Sequence, residues 1–131
     1  MSDPVEVVGR FWERVEARDW DRAGELLAGD AEFEWPHTRE RFRGRANVIG
    51  MNRAYPEGWH IEILRILGEG EAVVSLVRVT LGDAVSHAAS FFEVRDGLIR
   101  GATELWVDEG QQDPPDWRAP WREPGRSDPW S

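Results

Sequence analysis

A succession of long apolar runs between Gly58 and Asp108 constrains the fold of this chain most strongly. Short turn segments rich in Gly and Asp separate the runs, which is typical of an antiparallel β-meander. Such a sheet needs cover on one face, and only the first half of the chain has helical patterns that supply it. The runs occupy residues 59–67, 72–81, 84–94 and 98–108.

Three helical patterns precede this meander. The first begins at Asp3, which suits an N-cap, and Pro4, which suits the first helical position. Asp19 caps the second, whose apolar residues extend to Leu27 before Gly29 ends it. A short strand and then a polar loop are expected between the second and third patterns. The boundaries are residues 31–35 for that strand, 37–44 for the loop and 45–55 for the third helix.

Composition excludes several classes of protein. Cysteine is absent, which removes disulfides, thiol catalysis and cysteine metal sites. Lysine is absent too, so no Schiff base forms on a lysine. The net charge of −9 disfavours nucleic acid as a partner. No run approaches the roughly 18 apolar residues of a membrane helix, and no secretory signal pattern is present. We expect a cytoplasmic protein with no membrane partner and no cofactor.

The last segment, residues 111–131, differs in character from the rest of the chain. It carries five of the eight prolines and three tryptophans, so we expect it to form neither a helix nor a central strand. We expect one domain over residues 1–110, with this tail packed on the domain or on a partner subunit through Trp117 and Trp121. The alternative is a disordered proline-rich ligand for another domain.

Several local phrases carry a family resemblance. They are Phe11-Trp12-Glu13-Arg14-Val15, Asp30-Ala31-Glu32-Phe33-Glu34-Trp35-Pro36, Phe42-Arg43-Gly44-Arg45 and Arg95-Asp96-Gly97-Leu98-Ile99. Together with the order of elements, they resemble the nuclear transport factor 2-like superfamily, especially its bacterial SnoaL-like members, over residues 4–108. The resemblance implies an α+β fold. This fold is a cone, also called a cystatin-like α+β barrel. In it, a strongly curved antiparallel sheet wraps on three N-terminal helices and encloses a cavity.

Ketosteroid isomerases are relatives within that superfamily. They use a carboxylate base, with a tyrosine and a protonated carboxylic acid as oxyanion donors. The resemblance places these three roles on or near Trp35, Phe11 and Ser90, which lack the required groups. Steroid isomerisation by that mechanism is therefore excluded. The same resemblance places Glu104 and Trp106 in the cavity.

Glu104 is the first candidate for catalysis, because a carboxyl group in an apolar pocket has a raised pKa and moves protons near neutrality. Local periodicity opposes this placement, since Ile99, Leu105 and Val107 form the more apolar face of the last run. His37 is the second candidate, as a proton shuttle at the cavity mouth. The alternative for His37 is an exposed loop histidine.

Aromatic residues are the expected ligand-binding wall, with Ser90 as a hydrogen-bond donor. Plain core packing is the alternative, and the two overlap because a cone has its pocket inside its core. An arginine run is expected to pair with acidic residues rather than to clamp an anionic ligand. Glu34 and His37 lack a third ligand, so no metal site is expected. The aromatic wall is Phe11, Trp12, Trp35, Tyr55, Trp59, Phe92 and Trp106; the arginines are Arg39, Arg41, Arg43 and Arg45.

We expect recognition of a small, mostly apolar molecule in the cone. The resemblance suggests acid–base chemistry of isomerase or cyclase type on a cyclic carbonyl or polyketide-like compound. Non-catalytic binding and a dimeric accessory protein are the alternatives. A homodimer through the sheet is expected, because residues 72–81 are apolar on both faces and the helices cover only one.

Overall fold

The computed structural model describes residues 3–130. Two helices, two strands and a third helix occupy the first half of the chain, and four long strands follow. The helices are α1 (Pro4–Glu16), α2 (Trp20–Gly24) and α3 (Arg45–Ala54), with a 3-10 helix at Asp116–Trp121. The strands are β1 (Leu27–Trp35), β2 (Glu40–Arg43), β3 (Trp59–Glu69), β4 (Ala72–Leu81), β5 (Ala84–Arg95) and β6 (Leu98–Asp108).

The strands form one six-stranded sheet in the order β2-β1-β6-β5-β4-β3, which confirms the α+β fold class. The sheet is open, with β2 and β3 at its edges. One pair departs from the predicted antiparallel sheet, because β1 runs parallel to β6. No turn joins these two strands, so hairpin geometry does not set their relative direction. Gly101 permits their close approach, since a Cβ there would lie 2.9 Å from the Glu32 carbonyl oxygen.

Two boundaries differ from the sequence prediction. The second helix ends at Gly24, and Leu27 begins β1 instead of closing the helix. The loop predicted at residues 37–44 contains β2, a polar edge strand that pairs with the end of β1. Charged residues are poor indicators of a strand, and the pairing with β1 overrides that weak preference.

A cluster of four aromatic rings fills the space between α1 and the inner face of the sheet. Phe11 on α1 lies 5.4 Å from Trp12, 6.1 Å from Phe33 and 6.5 Å from Phe92, measured between ring centroids. Phe33 and Phe92 are 5.9 Å apart. Each such pair contributes about 0.5–1.5 kcal/mol beyond the burial of its surface. This cluster is therefore the centre of the hydrophobic core.

A bulge in β6 decides which of its side chains point inward. Val94 pairs with Ile99, but the adjacent Glu93 pairs with Gly101, so the register shifts by one residue. Ile99 is inward before the bulge, and Ala102 and Glu104 are inward after it. Side chains otherwise alternate between faces, so a single inserted residue exchanges the two faces.

The outer face of the sheet carries exposed apolar side chains in the single chain. Its exposed apolar residues lie on four neighbouring strands, β3 to β6. They are Leu67, Val74, Phe91, Leu105 and Val107.

The residues after β6 lie on the surface, and each one from Glu109 to Trp130 is exposed. Trp117 and Trp121 are 71% and 81% exposed. The expectation that these two indoles pack on the chain's own domain therefore differs from the structure. Their packing on a partner subunit stays a prediction.

The far end of the tail returns to the outer face of the sheet. Asp128 forms a salt bridge of 3.1 Å with Arg78 on β4. The ring of Trp130 lies 5.5 Å from that of His87, which is directly opposite Arg78 on β5. The tail is thus anchored to the sheet at its end.

Candidate functional site

A cavity of about 330 Å³ lies between α3, the β1–β2 turn and the inner face of the sheet. This volume is at the small end of the roughly 300–1,000 Å³ range of ligand pockets. Its wall is mainly aromatic and aliphatic. The aromatic residues that line it are Trp12, Trp35, Tyr55, Trp59 and Trp106.

Alternation along the strands brings the sheet residues of this wall together. Trp59 and Ile61 come from β3, two residues apart and hence on one face. Val79, Ser86 and Asp108 lie directly opposite one another on β4, β5 and β6. The Ser86 hydroxyl donates a hydrogen bond of 2.7 Å to Oδ1 of Asp108. A carboxylate oriented by a hydroxyl therefore stands at one side of the cavity.

The other side of the cavity comes from α3 and from the turn after β1. Met51 and Asn52 project from α3, and the Asn52 amide donates to the Val48 carbonyl oxygen at 2.9 Å. His37 and Thr38 belong to the turn. The His37 ring stacks on Trp35 at 5.7 Å with an interplanar angle of 29°. The histidine is thus held at the wall by an aromatic neighbour.

Glu104 lies on the inner face of β6 but does not line the cavity. Its side chain is buried, with 2% of the residue exposed. Nε1 of Trp35 donates to Oε1 at 2.9 Å, and the Ser90 hydroxyl donates to Oε2 at 2.6 Å. The rings of Trp35 and Trp106 are 5.9 Å apart, and both line the cavity. The carboxyl group therefore sits one layer behind the wall.

Burial raises the pKa of Glu104, because the charged form loses its hydration. Hydrogen bonds from Ser90 and Trp35 act against this rise by stabilising the carboxylate. The indole N–H of Trp106 acts in the same direction, but its Nε1 makes no hydrogen bond of good geometry. We therefore assign the opposing effect mainly to Ser90 and Trp35.

Glu104 belongs to a row of buried polar side chains that crosses three strands. Ser75, Ser90 and Glu104 are directly opposite one another on β4, β5 and β6. They are the buried polar residues among residues 3–130. Nε1 of Trp12 donates to the Ser75 hydroxyl at 3.0 Å. A satisfied network of this kind fixes the orientation of the indoles that it binds.

The structure brings together six of the residues that the sequence proposed for the site, namely Trp12, Trp35, His37, Tyr55, Trp59 and Trp106. Four others lie elsewhere. Phe11 and Phe92 are in the ring cluster of the core, because α1 packs directly on the sheet at their level. Ser90 and Glu104 are in the buried polar row. The sequence predicts on which face of a strand a side chain lies. It does not predict whether that side chain lines the cavity or is buried in the core.

Sequence reasoning missed other residues of the wall. Asp108 follows Trp106 at a spacing of two on the same strand, and that spacing was a usable signal. Met51 and Asn52 had no such signal, because α3 shows no clear apolar stripe. Thr38 follows directly after His37 in the turn.

The arginine run does not line the cavity. Arg41 and Arg43 lie 3.2 and 4.0 Å from the Glu32 carboxylate, and Arg45 donates to the Leu27 carbonyl oxygen. The contacts of Arg41 and Arg43 with Glu32 are the pairing with acidic residues that the sequence favoured over an anion clamp, whereas Arg45 pairs with the backbone.

Residues 3–130 contain neither a cluster of metal ligands nor a helix that could span a membrane. No three His, Asp or Glu side chains come together there as a metal site. The helices of this part of the chain are all too short or too polar to cross a membrane.

Comparisons with known proteins identify the family of this architecture. The model of the SnoaL-like domain matches residues 8–102. A candidate ketosteroid isomerase from Kribbella flavida has a similar structure, with 31% sequence identity and a TM-score of 0.86, covering 95% of this chain and 90% of that one. No curated protein matches.

More distant structures share the fold alone. An NTF-2 like protein of unknown function from Burkholderia xenovorans is 23% identical, with a TM-score of 0.73, over 94% of this chain and 96% of that one. An LEH-like epoxide hydrolase from M. tuberculosis is 23% identical, with a TM-score of 0.66, over 79% of this chain and 82% of that one.

Proposed function

Because this chain belongs to the SnoaL-like domain family, we propose that it recognises a small, mostly apolar molecule inside its cone. The family and its structural neighbours suggest a ligand-binding or isomerase-like role. The observation that carries the proposal is the aromatic-walled cavity of about 330 Å³. An apolar wall with a few polar groups is typical of small-molecule sites, where the polar groups fix the ligand's orientation.

Narrowing the cavity is expected to weaken binding. Val79 lies on the inner face of β4 and lines the wall, so Val79→Phe places a ring where the ligand sits. With 2-naphthol as a neutral apolar probe, we expect the dissociation constant to rise at least about ten-fold, because the added ring occupies space that the ligand needs. Isothermal titration calorimetry measures this change, and circular dichroism checks the fold.

Thr80→Phe is the matched control for that variant. Thr80 is the next residue on β4 and faces the outer side of the sheet, so the same ring is added outside the cavity. Its affinity for 2-naphthol is expected to stay within about two-fold of the original, a change below 0.5 kcal/mol. Unchanged binding by a folded Val79→Phe variant would contradict the proposed cavity.

Acid–base chemistry is a second candidate, proposed for an isomerase-like or cyclase-like reaction of a cyclic carbonyl or polyketide-like compound. His37 lines the cavity and supports it, as does the carboxylate of Asp108, which also lines the cavity. Glu104 supports it less directly, since Trp35 and Trp106 separate its carboxyl group from the cavity. A turnover that survives in both His37→Gln and Asp108→Asn would rule out this candidate.

We also propose a homodimer through the outer face of the sheet, supported by the exposed apolar residues of β3 to β6. A dimer is expected by light scattering at micromolar concentration. Phe91→Arg should give a monomer, because it places a charge in the centre of this face. Ala84→Arg adds the same charge at the exposed start of β5 and should leave the dimer intact. A monomeric original protein would refute the proposal.

The tail after residue 110 is proposed to take part in this association. Trp117 and Trp121 are exposed in the single chain, and Asp128 anchors the tail beside the same sheet face. Their indoles then lie against the partner subunit, while residues 1–110 form the domain itself. Removing residues 112–131 should weaken the dimer in the same light-scattering measurement.

A further inference from the structure

The charged groups around the cavity are unevenly distributed. Asp108 lines the cavity itself, whereas no arginine does. An adjoining cleft shares Tyr55, Ser86 and Asp108 with the cavity and adds the carboxylates of Asp83 and Glu109, again without an arginine. A ligand that approaches through this cleft therefore passes negative groups. Such a surface steers cations inward and repels anions.

The aromatic wall itself is a second and separate feature that favours a cation. Glu104 accepts the indole N–H of Trp35 at 2.9 Å, and Trp106 flanks the same carboxyl group. Trp35 and Trp106 present their rings to the cavity. Tryptophan is the aromatic residue whose ring face attracts cations most strongly, so two such rings at the wall favour a positively charged ligand.

The wall already binds one cation from within the chain. The guanidinium carbon of Arg18 lies 3.3 Å from the ring centroid of Trp59, another wall residue. Glu57, at 3.0 Å, and Glu16, at 3.8 Å, balance the charge of Arg18. Arg18 does not line the cavity, so the contact shows that the Trp59 ring binds a cation, while the two carboxylates offset the charge of Arg18.

Resting on the proposed recognition function, we propose that the ligand is an organic cation, a protonated or quaternary amine with an apolar body. Its charge is balanced by Asp108 and attracted by the ring faces of Trp35 and Trp106, and its apolar part contacts Ile61 and Val79. A carboxylate or phosphate ligand is disfavoured, because no arginine lines the cavity to pair with it.

Three probes of similar shape test the charge preference of the full chain. They are benzyltrimethylammonium, its neutral isostere neopentylbenzene and the anion benzylsulfonate. We expect the cation to bind about ten-fold more tightly than the neutral isostere, and the anion to bind most weakly. Quenching of tryptophan fluorescence at low ionic strength reports each dissociation constant. Equal or tighter binding of the neutral or anionic probe would overturn the proposal.

Two matched variants locate the preference. Asp108→Asn removes the charge at the cavity and is expected to weaken the cation about five-fold while leaving the neutral isostere within about two-fold. Asp83→Asn removes a charge of the adjoining cleft outside the cavity and should change either probe by less than about two-fold. Cation binding that Asp108→Asn leaves unaltered would count against the proposed site.

The outcomes of these experiments distinguish the cation proposal from the recognition function on which it rests. If the neutral isostere binds as well as the cation and Val79→Phe weakens both, the cation class is wrong and recognition in the cavity stands. If none of the three probes binds, both proposals are overturned.

Discussion

Phe92→Ala is expected to lower the free energy of unfolding by about 3–5 kcal/mol. Phe92 is 3% exposed and lies at the meeting point of the Phe11, Trp12 and Phe33 rings. Its removal leaves a cavity between α1 and the sheet and deletes three aromatic contacts together. Urea denaturation followed by far-ultraviolet circular dichroism measures the loss.

Phe91→Ala is the natural control, because Phe91 is the adjacent residue on the opposite face and is 49% exposed. This substitution should lower the free energy of unfolding of the single chain by less than about 1 kcal/mol. Any further loss from weakened dimerisation will depend on protein concentration, whereas the Phe92 effect will not. Equal, concentration-independent losses in the two variants would contradict the described core.

Glu104→Gln is expected to become more stable relative to the original protein as the pH rises. Burial raises the pKa of Glu104 in the folded chain above its unfolded value, so the folded state retains a proton that the unfolded chain releases. Stability of the original protein therefore falls with rising pH between the unfolded and folded pKa values. The slope is at most about 1.4 kcal/mol per pH unit for one proton, and glutamine lacks this dependence.

Paired urea denaturation of the two proteins at a series of pH values measures this difference, in which the other titrating groups cancel. Glutamine is close in shape, with an oxygen that accepts from Trp35 and an amide that donates to Ser90, so the fold is expected to persist. A stability difference that stays constant from about pH 4 to about pH 8 would show that the carboxyl group has the same pKa in both states.

The two experiments distinguish the layers of the cone. Phe92 belongs to the dry core, where stability follows packing alone. Glu104 belongs to the polar row between that core and the cavity, where its carboxyl group orients the indole of Trp35, a wall residue. Because Glu104 does not line the cavity, we expect its carboxyl group to influence a bound molecule through the Trp35 indole rather than by direct contact.

Much of the fold was readable from the sequence, because its signals are local. Asp3 and Pro4 begin α1 as predicted, and the long apolar runs became β3 to β6. Alternation along residues 72–81 correctly separated the inner valines from Val74 on the outer face. The aromatic character of the cavity wall was also predictable, since a cone with many tryptophans places some of them at its cavity.

The tertiary structure alone decided the features that depend on distant pairing. The parallel contact of β1 with β6 and the edge strand β2 have no local signal, because only the partner strand supplies their hydrogen bonds. Glu104 is the sharpest case. Strict alternation along β6 would put Ile99 and Leu105 together on the inner face, and it therefore predicts that Glu104 points outward. The bulge before Gly101 exchanges the faces and turns it inward. Sequence periodicity fixes which residues share a face only while the register is unbroken, and packing against β1 and β5 decides where it breaks.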